Sequence, residues 1–495
     1  MMRITMRTSI VMLFVLSILG CNQDKESKSE KKEIRPNILF IAIDDLRPEL
    51  GCYGAEHIKS PNIDMLASEG VLFNRAYTQQ AVCAPSRNTL MTGLRPDALG
   101  ITNLATFFRT KAPDVVTLSQ YFLQNGYQSE GMGKIYHTGH GNSNDSLSWS
   151  IKHWTPASIV KAREAIQSGD TAYLQTCYPK VGGKKIAWLN STMPEEMHDD
   201  ALTTSHAIER MEALKDSTFF LAVGLVKPHL PFVAPKKYWD LYDSNQLTIP
   251  STEKPESPDY AFSNWGELRK YYSMPSDGYM KGEDAKKLIH GYYACVSFID
   301  AQVGRLVAKL KELDLYDNTI IVLWGDHGYK LGDYGEWCKH TNYEIDTRIP
   351  VIVRAPQKNA VKGVKSNAII ETVDIYPTLC QLAGLEQPNH VQGSSFDKAL
   401  FDENFNWDEV ALSQYPRNTK INDEKVALMG YTMRTPEYRF TKWVNTQTGE
   451  AIATELYDHT KQHSEMKNLA GDSDYEELLG TLSQKFEESY NKEHQ

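Results

Sequence analysis

Short, nearly unbroken apolar runs recur along the chain, and helical patterns stand between them. "NILFIAI", inside Pro36–Asp45, is β-rich and apolar throughout, the pattern of a strand covered on both faces. A helix follows in "SPNIDMLASEG", with Ser60-Pro61 near its start, and then a second strand, "VLFNRAY". "TLSQYFLQNGYQSEGMGK" repeats the helix-then-strand form, and Asn125-Gly126 stops the helix. "STFFLAVGL", "TIIVLWG" and "IPVIVRAP" supply further strands, "AKKLIHGYYACVSFIDAQVGRLVAKLKEL" a long helix and "DIYPTLCQLAGL" a shorter one. Helices alternating with buried strands predict an α/β sandwich with a large, mostly parallel mixed sheet between helices. From about Phe405 the pattern changes: "EVALSQYP", "KVALMGYTMRT", "YRFTKWVN" and "ELYDH" are short strands in succession, followed by the helix "DYEELLGTLSQKFEESYNKE". These predict a smaller C-terminal antiparallel sheet with a helix, at 405–495, after a first domain at 34–404. Residues 138–200 carry few strong signals and are expected to form a long, partly helical insertion.

The first twenty residues need a separate account. "MMRITMRTSIVMLFVLSILGC" has two arginines, an apolar run too short to span a membrane, and small residues before Cys21. Residues 1–20 read as a signal peptide. Ile18-Leu19-Gly20-Cys21 resembles a bacterial lipobox, which implies cleavage before Cys21 and a lipid anchor on it. Plain secretion, with Cys21 in the discarded piece, is the alternative. The segment 21–33 is charged and lacks apolar residues, as a flexible tether does. The expected location is therefore an exported bacterial lipoprotein in the periplasm, at the outer-membrane face or at the cell surface. Cleavage takes Arg3 and Arg7 and no acid from a chain of net charge −10, leaving −12. So acidic a body argues against nucleic acid as a partner. The seven cysteines are widely scattered, and no pair has zinc-finger spacing.

Chemistry gathers where strands end. Asp44 and Asp45 follow "ILFIAI", and Asp326 and His327 follow "IIVLWG". In open α/β sheets functional groups collect beyond the carboxyl ends of strands. Three carboxylates and an imidazole brought together there repel unless a cation sits among them, and oxygen-rich sets suit Ca²⁺ or Mg²⁺. Lys134 and His137 follow another strand, Lys227 and His229 a further one, and Lys339 comes shortly after the second acidic pair. Such a set suggests a pocket for an anion, with acid and base groups nearby.

Cys83-Ala84-Pro85-Ser86-Arg87, followed by Met91-Thr92-Gly93, resembles the signature of type I, formylglycine-dependent sulfatases, C-x-P-S-R-x-x-x-[LM]-T-G. "DDLRPELGCYG", "VGLVKPHLPF", "DHGYKLGDYGEW" and "SQYPR" extend the resemblance over nearly the whole mature chain, most closely to the iduronate-2-sulfatase branch. The resemblance implies an alkaline-phosphatase-like fold and sulfuric ester hydrolysis on polysaccharide-derived oligosaccharides, from glycosaminoglycans or algal glycans such as ulvan. It also implies a maturation enzyme that converts Cys83 to formylglycine, whose hydrate attacks sulfur with one hydroxyl and expels sulfate with the other. By the same resemblance Asp44, Asp45, residue 83, Asp326 and His327 form a Ca²⁺ shell. Arg87 holds the hydrated aldehyde, His137 is the base that releases sulfate, and His229 is the acid that protonates the leaving alcohol. Lys134 and Lys339 clamp the sulfate, with Lys227 a weaker candidate. The stretch after "SQYPR", Asn418–Lys425, reads as a loop and is shorter than in the iduronate branch, which leaves the sugar open; Lys420 or Lys425 could read a sugar carboxylate there. The competing readings are a phosphoesterase of the same superfold and a lipoprotein that binds sulfated glycans without catalysis.

Overall fold

A strand that is apolar on both faces must be covered twice, and the two covers set the architecture. The computed structural model describes residues 35–157, 180–280, 282–405, 407, 409–421, 423–461 and 465–494. The leader, the tether with Cys21, and Cys177 lie outside the described residues. The large sheet contains β1 (Asn37–Ile43), β2 (Val71–Tyr77), β3 (Gln128–Gly133), β4 (Phe219–Leu225), β5 (Thr319–Gly325), β6 (Arg348–Arg354) and β7 (Val364–Glu371). Their order across the sheet is β7–β2–β6–β5–β1–β4–β3. Only β6 runs against its neighbours.

Alternation along each strand sends side chains to opposite faces. Leu39, Ile41 and Ile43 of β1 join Ile321 and Leu323 of β5 in one apolar cluster. Helices α1 (Pro61–Ser68), α4 (Asp199–Leu214) and α5 (Gly282–Glu312) cover that face, through residues such as Ile63, Met211 and Ile299. Ile38, Phe40 and Ala42 point the other way, with Ile320, Val322 and Trp324. There α2 (Cys83–Thr92), α3 (Leu118–Gln124) and α6 (Ile375–Leu382) form the cover, through Leu90, Phe122 and Leu379. The fully buried β1 and β5 therefore lie mid-sheet, and their carboxyl ends open at its centre.

Strands β8 (Ala411–Ile421), β9 (Glu424–Arg434), β10 (Tyr438–Asn445) and β11 (Ala451–Asp458) form an antiparallel meander. Period-2 alternation again separates two faces. Leu412, Met433, Phe440 and Leu456 pack under α7 (Glu476–His494), against Leu482 and Phe486. Leu428, Trp443 and Tyr457 pack instead on Ala261 and Tyr343, from loops of the larger part.

The structure departs from the sequence reading at two places and adds detail at a third. β7 closes one edge of the large sheet, although its first half, "VKSN", is polar; half-exposed edge positions give no apolar run to detect. In 138–200 the described residues before α4 include the short 3-10 helices Ser146–Ser148 and Glu195–Met197, turns, and two- to four-residue strands, among them Trp188–Ser191 paired with Phe232–Pro235. Residues 158–179 of that insertion lie outside the described residues. The stretch Asn418–Lys425 is not a loop but the distal end of the β8–β9 hairpin, where Lys420 and Lys425 are an exposed cross-strand pair. Among the described residues no helix is long and apolar enough to cross a membrane.

Candidate active site

Helix α2 begins on Cys83, after Val82 in extended conformation. Pro85 falls in its first turn, where a missing N–H is no loss because no intrahelical acceptor exists for it. Arg87 lies four residues after Cys83 and so projects from the same face. The Ser86 hydroxyl donates to the Asp326 carbonyl and ties the helix to the β5 terminus. Gly93 ends the helix at φ +68°, and a Cβ there would meet Val391 at 2.9 Å, so only glycine fits. Each element of the C-x-P-S-R…T-G pattern thus has a local structural use.

The centre of the site is a dry charge cluster. Asp44, Asp45, Asp326 and Arg87 have no exposed surface. Arg87 donates from Nε to Asp326 at 2.8 Å and from Nη2 to Asp44 at 3.0 Å. Lys134 pairs with Asp44, and its Nζ is 3.8 Å from Cys83 Sγ. Lys339 Nζ donates to both Asp45 oxygens, at 2.9 and 3.1 Å. Three carboxylates thus face three cations. Burial alone would raise the Asp44 carboxyl, but Lys134 and Arg87 outweigh it and hold Asp44 well below the usual range. At Asp326 burial prevails over His327 and Arg87, and its carboxyl sits above the usual value. The expectation that a metal must separate these acids is therefore qualified, because Lys134, Lys339 and Arg87 already neutralise them.

The donor set still fits a hard cation. Asp44, Cys83, Asp326 and His327 present ligand atoms within 4.8 Å of one another, and Asp45 forms a like grouping with Asp44, Cys83 and His229. His327 donates from Nδ1 to the Gly328 carbonyl at 2.9 Å. That bond assigns the tautomer and leaves Nε2 facing Asp45 at 3.4 Å, Asp326 at 3.6 Å and Cys83 Sγ at 3.4 Å. A lone pair turned toward carboxylates is the arrangement a cation would resolve.

The remaining predicted groups surround this centre. His137 pairs its Nε2 with His140 Nδ1 at 3.3 Å, and its own Nδ1 is buried without a hydrogen-bond partner. Burial first, then the Lys134 ammonium, holds its pKa down to about 3. His229 donates from Nδ1 to the Leu230 carbonyl at 2.7 Å, and its Nε2 lies 3.2 Å from Glu267. Lys227 is not among the anion clamps: its Nζ donates to the carbonyls of His229, at 2.6 Å, and Pro231, at 2.9 Å, and so staples the loop that carries His229. Lys339 is flanked by Cys338 and His340, both in the left-handed region at φ +68° and +90°. Such non-glycine conformations cost about 1–3 kcal/mol each and persist where surrounding structure enforces them. Asp45, at φ +60°, is a third, and its carbonyl accepts from Tyr292 of α5 at 2.7 Å. Sequence reasoning missed Glu267, His140 and Tyr415. Tyr415 meets the His340 ring at 6.0 Å, from within the quoted "SQYPR".

With this geometry in place, the likenesses to known proteins have a structural meaning. The Sulfatase family model matches residues 36–385, and a model described as N-sulphoglucosamine sulphohydrolase, C-terminal, matches 332–492. The chain is 33% identical to human iduronate 2-sulfatase, over 94% of this chain and 97% of the relative. It is 29% identical to a sulfatase of Formosa agariphila, over 96% and 91%. A solved structure in complex with its substrate D-glucosamine-2-N,6-O-disulfate superposes with a TM-score of 0.72 at 24% identity, covering 93% of this chain and 98% of that one.

The state of His137 is testable through stability. Its folded pKa of about 3 lies below the value of about 6.5 for a free imidazole. Between those two pH values the unfolded chain binds the proton that the folded one refuses, so stability rises with pH across that window. The melting temperature of the wild type should fall on acidification from about pH 6.5 toward pH 4, and His137→Gln should flatten that part of the curve. An unchanged slope in the variant would show that His137 is protonated in the folded protein.

Proposed function

The chain belongs to the sulfatase family and is a sulfuric ester hydrolase, and from that premise we propose that it removes sulfate from the ends of sulfated oligosaccharides, using Ca²⁺ and a formylglycine at position 83. One observation carries the reading: Cys83, at the start of a buried helix, stands among Arg87, Lys134 and His327, with three carboxylates in the same dry space. Formylglycine would supply a hydrated aldehyde, one hydroxyl to attack sulfur and the other to expel sulfate. Calcium held by Asp44, Asp45, Asp326 and His327 would polarise the nucleophile and a sulfate oxygen.

The chain's own residues then have separable tasks. Arg87 bridges Asp44 and Asp326 and fixes the spacing of the β1 and β5 ends. Asp44 and Asp45 would hold a divalent cation, whose charge would suit an anionic ester, and Lys134 and Lys339, now paired with those acids, would then be available to the sulfate oxygens, where charge builds in the transition state. His137 is held neutral, so it has an unprotonated ring nitrogen to offer as the base, although burial and Lys134 keep the proton off it in the resting site. His229 offers Nε2 to the sugar oxygen as its bond to sulfur breaks.

Sulfated uronate or deoxysugar glycans remain the substrate class. The name of the human relative, iduronate 2-sulfatase, supports a uronate, and the disulfated glucosamine bound by the structural neighbour supports a glycosaminoglycan-like sugar. Export on a lipidated Cys21 would place the enzyme where polysaccharide fragments arrive, and a maturation enzyme is its required partner.

Three measurements test this reading. Peptide mass analysis of active enzyme should find residue 83 without sulfur and reactive to hydrazide; a free thiol in fully active protein would overturn the nucleophile. Calorimetry should detect one Ca²⁺ site that raises the melting temperature, and Asp326→Asn should abolish both; full activity after exhaustive chelation would rule the site out. Sulfate release from an end-sulfated digest should exceed that from intact polymer at equal sulfate content. Equal rates, with sulfate lost from the polymer interior, would replace the end-acting pocket with an open groove.

A further inference from the structure

Among the described residues, Glu267 is the acid that touches this machinery without belonging to the metal-shaped cluster. Its Oε2 lies 3.0 Å from Lys339 Nζ and its Oε1 3.2 Å from His229 Nε2. One carboxylate therefore joins the residue read as sulfate clamp to the residue read as acid. About a quarter of the Glu267 and His229 side chains is exposed, against 2% for Lys339, so the bridge borders the open side of the site.

The base beneath Glu267 is rigid. It sits in the short helix Gly266–Arg269, whose Trp265 and Leu268 are buried, at 3% and 0% exposure. Arg269 stacks on the Trp265 ring at 3.4 Å. The same guanidinium donates to the carbonyls of Asn264, Pro275 and Gly278, at 2.9, 3.0 and 2.9 Å. Three carbonyls from two backbone segments are thus pinned around a helix of one turn, and Glu267 is aimed rather than mobile.

We infer that Glu267 is a positioning residue that fixes His229 and Lys339 relative to each other, so that the leaving oxygen and the sulfate are engaged together. The inference rests on the proposed roles of His229 and Lys339. Its physical basis is direct. The His229 ring is fixed by its hydrogen bond from Nδ1 to the Leu230 carbonyl, and the Glu267 carboxylate lies 3.2 Å from Nε2 as an ion-pair partner beside it. Lys339 is shared between Asp45 and Glu267. When Asp45 turns to a cation, Glu267 is the remaining anchor that keeps the ammonium in the site. A carboxylate between two cationic groups also lets them stand close together. In the step itself the His229 Nε2 proton passes to the bridging oxygen as that oxygen leaves sulfur, and Glu267 neither gains nor loses a proton.

The test compares two esters in the matured, full-length enzyme: an end-sulfated uronate disaccharide, whose alcohol leaves poorly, and 4-nitrophenyl sulfate, whose phenol leaves without help. Glu267→Gln should lower kcat for the disaccharide about tenfold to a hundredfold, the usual loss when a supporting partner is removed. KM should change less than kcat, and the loss on 4-nitrophenyl sulfate, which needs Lys339 but not the acid, should be at least about threefold smaller than that on the disaccharide. Glu267→Asp, which keeps the charge but is too short to span both partners, should fall between. The ratio of the two rates within one sample is independent of how much protein is folded, so a poorly folding variant still reports. Equal losses on both esters, or a kcat for the disaccharide within threefold of wild type, overturn the role of Glu267. His229→Ala is the control: if it discriminates between the esters and Glu267→Gln does not, only Glu267 is misassigned. If His229→Ala also fails to discriminate, the reading of His229 as acid falls, and this inference with it.

Discussion

Arg87 is a permanent positive charge with no exposed surface, and it sits between Asp44 and Asp326, two acids equally cut off from water. Removing one member of such a buried set typically costs about 3–5 kcal/mol, because the partner is left charged and unpaired. The rest of the site is built on that bridge. It fixes the distance between the ends of β1 and β5, and through those ends the directions of Asp45 and His327. It also locks α2 against both strands, so the position of Cys83 follows from the position of Arg87 one turn along.

The small sheet belongs to this arrangement as much as the large one does. Arg417, on β8, donates to the carbonyls of Tyr260 at 2.6 Å, Ala261 at 3.1 Å and His340. Asn342 donates to the Gly430 carbonyl at 2.8 Å, and Arg439 to the Asn342 carbonyl at 2.9 Å. The segment that carries Lys339 is therefore held from the far side by strands of the C-terminal meander. A second charged network ties the same parts together, with Glu344 accepting from Arg439 at 2.7 Å and Arg439 paired with Glu465 at 2.6 Å. The meander acts as a buttress for the Lys339 segment rather than as an independent module.

Much of this was legible in the residues alone, and the reason is periodicity. β1, β4 and β5 are apolar on both faces, so their sequence pattern and their burial are the same fact. The acids that follow β1 and β5 could be assigned to one place because parallel strands bring their carboxyl ends to one edge. Cys83 and Arg87 were readable through the resemblance of their stretch to the sulfatase signature, and the helix that carries them was not read from the residues. β7 was not read either, since an edge strand with one wet face carries no continuous apolar run. The hairpin beyond Arg417 read as a loop because both its faces are partly exposed and polar. Glu267 had no signal at all: a single acid in "SNWGELRKYY" looks like a solvated side chain until distant loops close over it. Contacts between segments far apart in sequence, such as Glu267 with Lys339 and His229, leave no local trace.

All ten residues of α2 are buried, and Cys83 keeps only 2% of its surface. On the proposed conversion of Cys83 to formylglycine, an oxidising enzyme would not reach a side chain enclosed in this way. Its work would have to be finished while the segment is still an extended peptide, before β1 and β5 receive the helix. Maturation and folding would then compete in time, and a chain that folded first would trap an unconverted cysteine. The yield of active enzyme would accordingly be a kinetic quantity, set by how long the chain stays open to its modifying partner and not by the stability of the finished fold.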